Sequence, residues 1–542
     1  MPIRKSAPFR WTPKGCSDTQ DSTEEFPGAM SALTNLVPDP KTDNLWVPRP
    51  AAQLLTSFAG FTTPGFISGQ FVVGNYVYGM IATGRTAGHD EPFAFNLSTS
   101  TFTTIAGVVA GNVPISPATS GAWTPPAFVV VGTKLVVTHP GFNGINGYVG
   151  WLDISTPASP VWSSGNTAIT ALPSPPVSVA QFNGRAYYIC NPPNGQPSVL
   201  ASDSLDATTR TNPTYVLTFD DNVPLTAAFG MPLSNQLGGI IQSLMVFKGG
   251  SNVYQITGDF ATPTNPITKN ALNVATGTLS PDAICATPKG IAFFAPDGLR
   301  FIDFNARMSD PIGIGGKGIA LPFSQALVPS RTTAACNGTT IRVTVQNGAA
   351  LAQPFQEWVY DMTRDVWHGP HTFPYTSIDD YGQSYILVPQ GIVAQLWQSD
   401  ISPNTISTYT ENGVPLTFNY QTALFPDQGT MSRYSISETL LYMGFGAGTT
   451  NYTVSVYDQD SVLLNYAFIG GSGNASLWGV MIWGQDDWGG AAGKALNQHK
   501  VPWTKPIVFD RCSVSVSGTS AAGVVIGDLY GRWTPLGYAP LN

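Results

Sequence analysis

Apolar and polar positions along the chain repeat one short phrase: an apolar strand, a tight polar or glycine turn, and a second apolar strand. The phrase occurs seven times between residues 71 and 390. The copies begin about 40 to 65 residues apart, a spacing typical of propeller blades. Because a lone hairpin cannot bury its own apolar face, the pattern predicts an all-β fold with a β-propeller of six to eight blades, most simply seven. The seven hairpins are Phe71–Met80, Phe128–Val137, Val179–Cys190, Leu244–Ile256, Ile284–Ala295, Ala334–Val343 and Ile378–Leu387.

Turn chemistry supports the blade interpretation. Asp153 and Asp361 each follow an apolar strand and precede a returning tryptophan, Trp162 or Trp367. An aspartate there can bond its own backbone in the turn, and the tryptophan can cover the blade. Asn183-Gly184 is a strong two-residue hairpin signal. The uneven spacing of the copies predicts insertions between blades, for example around residues 191–235.

The sequence pattern changes near residue 400, where apolar and polar residues begin to alternate strictly. Ile406–Thr422 predicts a hairpin, and Ser435–Tyr442, Tyr452–Tyr457, Ile507–Val516 and Val524–Trp533 predict further antiparallel strands. We therefore expect a propeller over residues 63–400 and a β-sandwich or jelly roll over residues 401–542.

Residues 1–62 form a proline-rich lead without strand-length alternation. We expect this lead to be extended and to lie along another surface, anchored by Trp46. A loosely tethered tail is an equally good interpretation of residues 1–30.

Composition narrows the function classes. The charged residues are only 11% of the chain, and the net charge is −8. Few charges favour packing against other subunits, although a monomer kept soluble by Ser, Thr and Asn is the alternative. An acidic chain without a basic face argues against nucleic-acid binding. Five scattered cysteines without a Cys-x-x-Cys pair, and the lack of an apolar leader or span, indicate folding in a reducing cytoplasm.

Residue patterns typical of catalysis or metal binding do not emerge. The acidic pairs, such as Asp379-Asp380, are adjacent in sequence, and turn aspartates most often cap backbone groups. His368 and His371 flank a Gly-Pro turn without a third ligand nearby. The sequence therefore predicts no catalytic site, no metal and no cofactor.

Tryptophans that alternate with glycine predict an aromatic surface in the C-terminal region. We expect an interface there, because tryptophan buries a large area and keeps a hydrogen-bond donor. Plugs that cover the end of the sandwich are the alternative. The candidate interface residues are Trp46, Trp478, Trp483, Trp488 and Trp503.

Three phrases, together with Arg49-Pro50 before the first blade, resemble tail-hub or nozzle proteins of short-tailed, podovirus-like bacteriophages. The phrases are Asn235–Asp259, Pro288–Ile302 and Val359–Trp367. The resemblance implies a structural virion protein that is made in the host cytoplasm and forms a ring, usually hexameric. It implies that the ring lies below the portal and its adaptor, closes the DNA exit channel, and supports fibres or spikes. DNA would pass only as cargo.

Two other hypotheses remain open. One is a carbohydrate-binding or glycan-cleaving propeller for host recognition, with Trp367 or Trp397 stacking on sugars. The other is an interaction platform of cellular origin.

Overall fold

The fold is all-β, with short helical turns at Ala110–Asn112, Pro281–Ala283, Leu321–Ser324 and Pro329–Arg331. The computed structural model describes residues 7–17, 28–39, 42, 44–58, 65–82, 88–116, 124–144, 147–165, 172–219, 221–234, 240–249, 252–272, 274–312, 318–346, 355–373, 375–390, 394–399, 410–411, 414–425, 432–445, 448–473, 497–503, 505–520 and 524–538.

Among the residues that the structure describes, six strands precede the first blade. They are β1 (Ala7–Trp11), β2 (Gly15–Cys16), β3 (Ala29–Thr34), β4 (Leu36–Pro38), β5 (Trp46–Pro48) and β6 (Gln53–Ser57).

Seven antiparallel sheets then follow in chain order as the blades of a propeller. Their strands are, in blade 1, β7 (Ile67–Val73), β8 (Tyr76–Ala82), β9 (Asp90–Asn96) and β10 (Thr101–Thr103); in blade 2, β11 (Ala127–Val131), β12 (Lys134–Thr138), β13 (Val149–Asp153) and β14 (Val161–Gly165); in blade 3, β15 (Ser178–Phe182), β16 (Arg185–Cys190), β17 (Ser198–Ala201) and β18 (Val216–Thr218); in blade 4, β19 (Leu225–Ser234), β20 (Ile240–Lys248), β21 (Asn252–Thr257) and β22 (Thr268–Ala271); in blade 5, β23 (Ile284–Thr287), β24 (Gly290–Ala295) and β25 (Gly298–Ile302); in blade 6, β26 (Thr333–Cys336), β27 (Thr340–Gln346), β28 (Phe355–Asp361) and β29 (Val366–His371); and in blade 7, β30 (Tyr375–Tyr381), β31 (Ser384–Pro389) and β32 (Gln395–Ser399).

Side-chain alternation explains why the blades need one another. In β16, Tyr188 and Cys190 belong to the apolar cluster shared with blade 2, whereas Tyr187 and Ile189 belong to the cluster shared with blade 4. A strand with period-two alternation thus contributes to two cores, one on each face of its sheet. Such a strand is buried on both sides only when a neighbouring blade covers each face.

The propeller is closed by a strand from the other end of its sequence. β6 pairs antiparallel with β32, which makes it the outermost strand of blade 7. Leu55 of β6 packs against a cluster that contains Ile67 of blade 1 and Leu396 of blade 7. The N-terminal strand therefore joins the first and last blades and covers the outer edge of β32.

The remaining strands build a two-sheet platform from both ends of the chain. Its C-terminal strands are β33 (Thr410–Glu411), β34 (Val414–Thr422), β35 (Ser432–Phe445), β36 (Gly448–Asp458), β37 (Leu463–Gly473), β38 (Asn497–Lys500), β39 (Ile507–Phe509), β40 (Cys512–Ser520) and β41 (Val524–Tyr538). The first platform sheet has the order β38-β35-β41-β5-β4, with β1 on β41 and β39 on β35. The second has the order β2-β3-β34-β40-β36-β37, with β33 on β34.

The predicted fold class, a propeller followed by a C-terminal sandwich, is confirmed. All seven hairpins occur, but Leu244–Ile256 forms the second and third strands of blade 4, whose inner strand is β19. Residues 191–235 contain β17, β18 and all of β19, so the insertion predicted there is wrong.

The lead is also not a segment of its own. Strands β1 to β5 belong to the two platform sheets, and β6 belongs to blade 7. The interpretation of residues 1–30 as a loose tail is wrong for β1, β2 and the start of β3, which pair with other strands.

We expect Leu55→Asp to lower the free energy of unfolding by about 2 kcal/mol or more, because it places a charge in the apolar seam between the first and last blades. The neighbouring Leu54 is 40% exposed, so Leu54→Asp is the matched control and should change stability little. Urea unfolding followed by tryptophan fluorescence measures both variants. Equal losses for the two would contradict closure through β6.

Candidate functional site at the propeller–platform junction

Asn35 occupies the centre of the contact between the propeller and the platform. It is fully buried and has a positive φ of 54°, a conformation that asparagine tolerates better than most residues. Its side-chain nitrogen donates to the carbonyl of Thr417 at 2.7 Å and to Oγ1 of Thr372 at 2.6 Å. Its side-chain oxygen accepts from Nε of Arg49 at 2.8 Å and from the backbone N–H of Thr372 at 3.1 Å.

Asn35 therefore uses all four hydrogen-bonding positions of its amide. Its backbone is engaged as well, since its carbonyl accepts from the N–H of Arg49 at 2.9 Å. The partners come from the end of blade 6, from β34 of the platform, and from the segment after β5. A single side chain thus holds three distant stretches of the chain together.

Two buried histidines continue this network into blade 6. The backbone N–H of Asn35 donates to Nδ1 of His371 at 2.9 Å, and Nε2 of His371 lies 2.9 Å from Nδ1 of His368. Because Nδ1 of His371 accepts, its proton resides on Nε2, which donates to His368. Both rings are therefore neutral in the folded protein.

The electrostatic surroundings agree with neutral rings. Burial lowers the pKa of His368 to about 3, opposed by Asp361 and assisted by Arg342 and Arg364. Burial also holds the pKa of His371 well below its ordinary value, with further lowering from His368, Arg49 and Arg342.

Two ion pairs, each with a buried arginine, flank the histidines. Arg49, whose side chain is 3% exposed, approaches Oε1 of Glu411 to 2.6 Å, and Glu411 also accepts from the N–H of Ala52. In blade 6, Nε of Arg342 donates to Glu357 at 2.7 Å between adjacent strands. Removing one partner of such a pair would leave an uncompensated buried charge, so each pair specifies one arrangement of its elements.

A cavity of about 530 Å³ opens beside the junction, between the lead and the outer hairpin of blade 6. Its lining includes Lys14, Trp46, Arg364, Asp365 and Trp367. The guanidinium of Arg364 spans the gap, since it donates to the carbonyl of Asp39 at 2.6 Å and lies 3.4 Å from Asp361. The cavity walls are thus fixed by contacts between the lead and the blade.

The predicted interface tryptophans differ in their burial and contacts. Trp46 is 3% exposed, its Nε1 donates to the carbonyl of Pro13, and its ring meets His368 edge-on at 6.2 Å. Trp503 is half-buried against the platform core and donates to Oγ1 of Thr439 at 2.9 Å. Both make contacts within the chain. Trp46 is too buried to reach another subunit, whereas for Trp503 the intersubunit surface stays a prediction. Trp478, Trp483 and Trp488 lie outside the described residues.

Trp367 and Trp397, which the carbohydrate hypothesis would use, are also part of the core. They are 1% and 5% exposed. Neither ring can stack on a sugar, because neighbouring side chains cover both.

One buried cluster has the residue types of a hydrolase triad but not its geometry. Ser116 donates to Oδ1 of Asp90 at 2.5 Å, and Nε2 of His139 lies 2.9 Å from Oδ2 of the same aspartate. Nδ1 of His139 accepts from the N–H of Gly141. The histidine therefore has no free nitrogen to accept a proton from Ser116, and the cluster joins blades 1 and 2 instead.

The acidic pair Asp379-Asp380 lies on the inner strand of blade 7. Oδ2 of Asp379 accepts from the N–H of Val72 at 2.6 Å, and Oδ1 accepts from the N–H of Asp380 at 3.0 Å. Asp379 thus caps backbone groups, as the sequence predicts for such pairs. Desolvation raises its pKa to about 8, although the side chain is only half-buried from solvent. A raised pKa alone assigns no reaction, since structural networks raise carboxyl pKa values too.

Within the described residues, no group of three or more His, Cys, Asp and Glu side chains is placed to hold a metal ion. A search of the same residues finds no helix with the length and apolarity needed to cross a membrane.

Sequence reasoning missed Asn35 and Arg49 as the centre of the junction. Their only signal was the pairing of polar residues with prolines in a segment that lacks strand-length alternation. The Gly-Pro turn between His368 and His371 was visible in the sequence, but the direct contact of the two rings was not.

No protein-family model matches the chain, and no curated protein does either. Among solved structures, Raptor of Chaetomium thermophilum has a TM-score of 0.38 at 11% identity, over 65% of this chain and 29% of that one. A puromycin hydrolase has a TM-score of 0.34 at 11% identity, over 68% and 59%. The SapL1 lectin in complex with alpha methyl fucoside has a TM-score of 0.32 at 15% identity, over 58% and 97%.

The chain spans less than two thirds of the Raptor and hydrolase chains that it resembles. At TM-scores this low, the likenesses carry no argument about what this protein binds or catalyses.

We expect Asn35→Gly to lower the free energy of unfolding by about 3 to 6 kcal/mol, because buried donors and acceptors on several partners lose their hydrogen bonds. Glycine keeps the positive φ, so the loss isolates the side chain. Asn44 has a similar φ of 64° but is exposed, which makes Asn44→Gly the matched control. Urea unfolding should show a near-zero change for the control. A loss under about 1 kcal/mol for Asn35→Gly would contradict the role of the amide.

We also expect the histidine pair to make stability depend on pH. Because the folded pKa of His368 is about 3, the unfolded chain binds more protons between that value and about pH 6.5. Stability therefore falls as the pH falls through this window. His368→Gln should reduce the slope between pH 6.5 and 5 by about 1.4 kcal/mol per pH unit. Urea midpoints across the pH series measure this slope. Parallel lines for the variant and the unaltered protein would contradict neutral, buried rings.

Proposed function

We propose that this protein is a structural virion protein that forms the tail nozzle ring of a short-tailed bacteriophage. The observation that supports the proposal best is the insertion of the propeller into a platform built from both chain ends. Strands β1 to β5 are hydrogen-bonded between or beside the C-terminal platform strands. Displacing the propeller relative to the platform would expose their shared apolar core and break the hydrogen bonds of Asn35.

A ring around a DNA exit channel needs subunits whose two parts do not shift relative to each other, because packaged DNA presses on the subunits until ejection. The apolar core continues from Trp358 and Trp367 of blade 6 to Tyr420 and Val454 of the platform. The polar network around Asn35 then fixes the angle at which the two parts meet. The propeller and the platform thus keep one relative orientation.

The DNA channel in this proposal is the lumen between copies of the chain. Within one copy, inner strands of adjacent blades meet directly, as where Asp379 accepts from the N–H of Val72 at 2.6 Å. Phe71 and Phe128 from blades 1 and 2 stack with centroids 6.1 Å apart. The proposed DNA path therefore lies outside the propeller of any one copy. The net charge of −8 suits a lumen past which DNA slides without binding.

The partners in this proposal are further copies of the chain, in a ring that we expect to be hexameric, the adaptor and portal above it, and fibres or spikes on its flank. The protein would reside in the virion tail. A carbohydrate-binding or glycan-cleaving propeller is the second candidate. The burial of Trp367 and Trp397 removes the aromatic residues on which that candidate depended.

Deletion of residues 478–490 should leave the propeller folded but weaken assembly, because we expect this tryptophan-rich segment to contact a neighbouring subunit. Sedimentation and native mass measurement of the full chain, alone and with its adaptor, provide the readout. Leu205→Ser, which removes a side chain 72% exposed on the propeller, is a control for loss of surface apolarity.

The expected result is a ring for the unaltered chain and the control, and smaller species for the deletion. A monomer in every context, including within particles, would contradict the ring. A ring that persists after the deletion would contradict a subunit contact through residues 478–490 and would leave the ring itself supported.

A further inference from the structure

The outward face of the second platform sheet is uncharged and rich in amides and hydroxyls. Strand register places Asn419 opposite Ser517 and Gln421 opposite Ser515, and it places Ser455 and Thr453 beside these serines on the next strand. The intervening residues Tyr420, Val516 and Val454 point into the buried core. The alternation therefore separates an apolar inner face from a neutral polar outer face.

A cavity of about 370 Å³ lies on this face. It is lined by Asn419, Gln421, Tyr457, Ser461, Ser515 and Ser517. The volume falls within the range of about 300 to 1,000 Å³ that is typical of small-molecule sites.

The hydrogen bonds inside the cavity leave matching donors and acceptors for a ligand. Ser515 donates to Oδ1 of Asn419 at 2.7 Å, and Nε2 of Gln421 donates to Ser513 at 3.3 Å. These bonds orient both amides and leave Nδ2 of Asn419 as a donor and Oε1 of Gln421 as an acceptor. The hydroxyls of Tyr457 and Ser517 can act in either role.

Two aromatic rings border the same face. Tyr466 pairs with Ser455 and Phe468 pairs with Thr453 across β36 and β37, so both rings project on the outer side. They are 52% and 74% exposed, and their centroids are 5.3 Å apart in an edge-on arrangement. Exposed large aromatic residues on an otherwise polar face mark a binding surface.

We propose that this face binds a neutral carbohydrate. A sugar ring carries an apolar C–H face that packs on an aromatic ring and a rim of hydroxyls that both donate and accept. The face offers the two complements side by side, the aromatic pair and the amide–hydroxyl cavity. Its lining holds no charged side chain with which to attract an acidic glycan, a nucleic acid or a metal ion.

A second copy of the chain fits this face less well. The centres of protein interfaces are depleted in serine and favour apolar contact across a flat patch. Here serines and amides line a concave cavity, with aromatic residues only along its border. The sugar site goes beyond the proposed ring and does not depend on it.

The test uses the full-length chain on an array of neutral and sialylated oligosaccharides, followed by titration calorimetry with the strongest neutral binder. We expect binding to neutral glycans, with at least a tenfold loss of affinity for Phe468→Ala and for Asn419→Ala. Tyr457→Phe, which removes only a hydroxyl, should weaken binding without a change in fold. Phe304→Ala, at a ring 36% exposed on the propeller, is the matched control and should bind as the unaltered chain does.

No binding of any array glycan, or binding that all three platform variants retain, would overturn the proposal. So would binding restricted to sialylated glycans. The native mass of each variant is measured in parallel. A change in mass without glycan binding would identify the face as a subunit contact and overturn the sugar site, whereas unchanged mass keeps the ring and the sugar site as separate questions.

Discussion

The buried amide of Asn35 is the constraint on which the rest of the structure depends. Its donors and acceptors are all used, and they reach Thr372 after blade 6, Thr417 in the platform and Arg49 between the two. A buried amide with full partners favours one arrangement strongly, because any shift leaves several groups unsatisfied at once. The junction therefore selects one relation between propeller and platform, and the closing strand β6 follows directly after it.

Several polar groups have residue types that suggest a catalytic site, but they help to select one arrangement of the strands. His368 and His371 are a neutral hydrogen-bonded pair, and His139 donates to Asp90 because its other nitrogen accepts from Gly141. Through its bond to the backbone of Asn35, His371 links blade 6 to the distant lead, and the Asp90–His139 contact links blades 1 and 2. In a repeat fold, where neighbouring blades resemble one another, such contacts help to distinguish the correct arrangement from alternatives.

Local patterns predicted the blades well, because apart from the closing pair of β6 and β32 each blade is built from contacts within about 50 residues. Asp153 and Asp361 bond the backbone of their own turns, and Asn183-Gly184 forms a turn with both φ angles positive. The lead could not be assigned in the same way. β4 and β5 are three residues long, and β1 pairs with β41, at the other end of the chain. Strands that short carry no alternation, and a pairing across the whole chain leaves no local signal. The sequence marks Trp46 as an anchor because of its size, but the burial of Trp46 in the junction depends on the pairing between the two ends of the chain.

Hydrogen–deuterium exchange of the full chain tests most directly whether lead, propeller and platform form one body. If the junction holds them together, peptides covering residues 28–39 and 366–373 should exchange as slowly as the middle strands of the blades, since opening them requires global unfolding. Exchange of residues 28–39 within minutes, while β16 and β24 stay protected, would contradict the account.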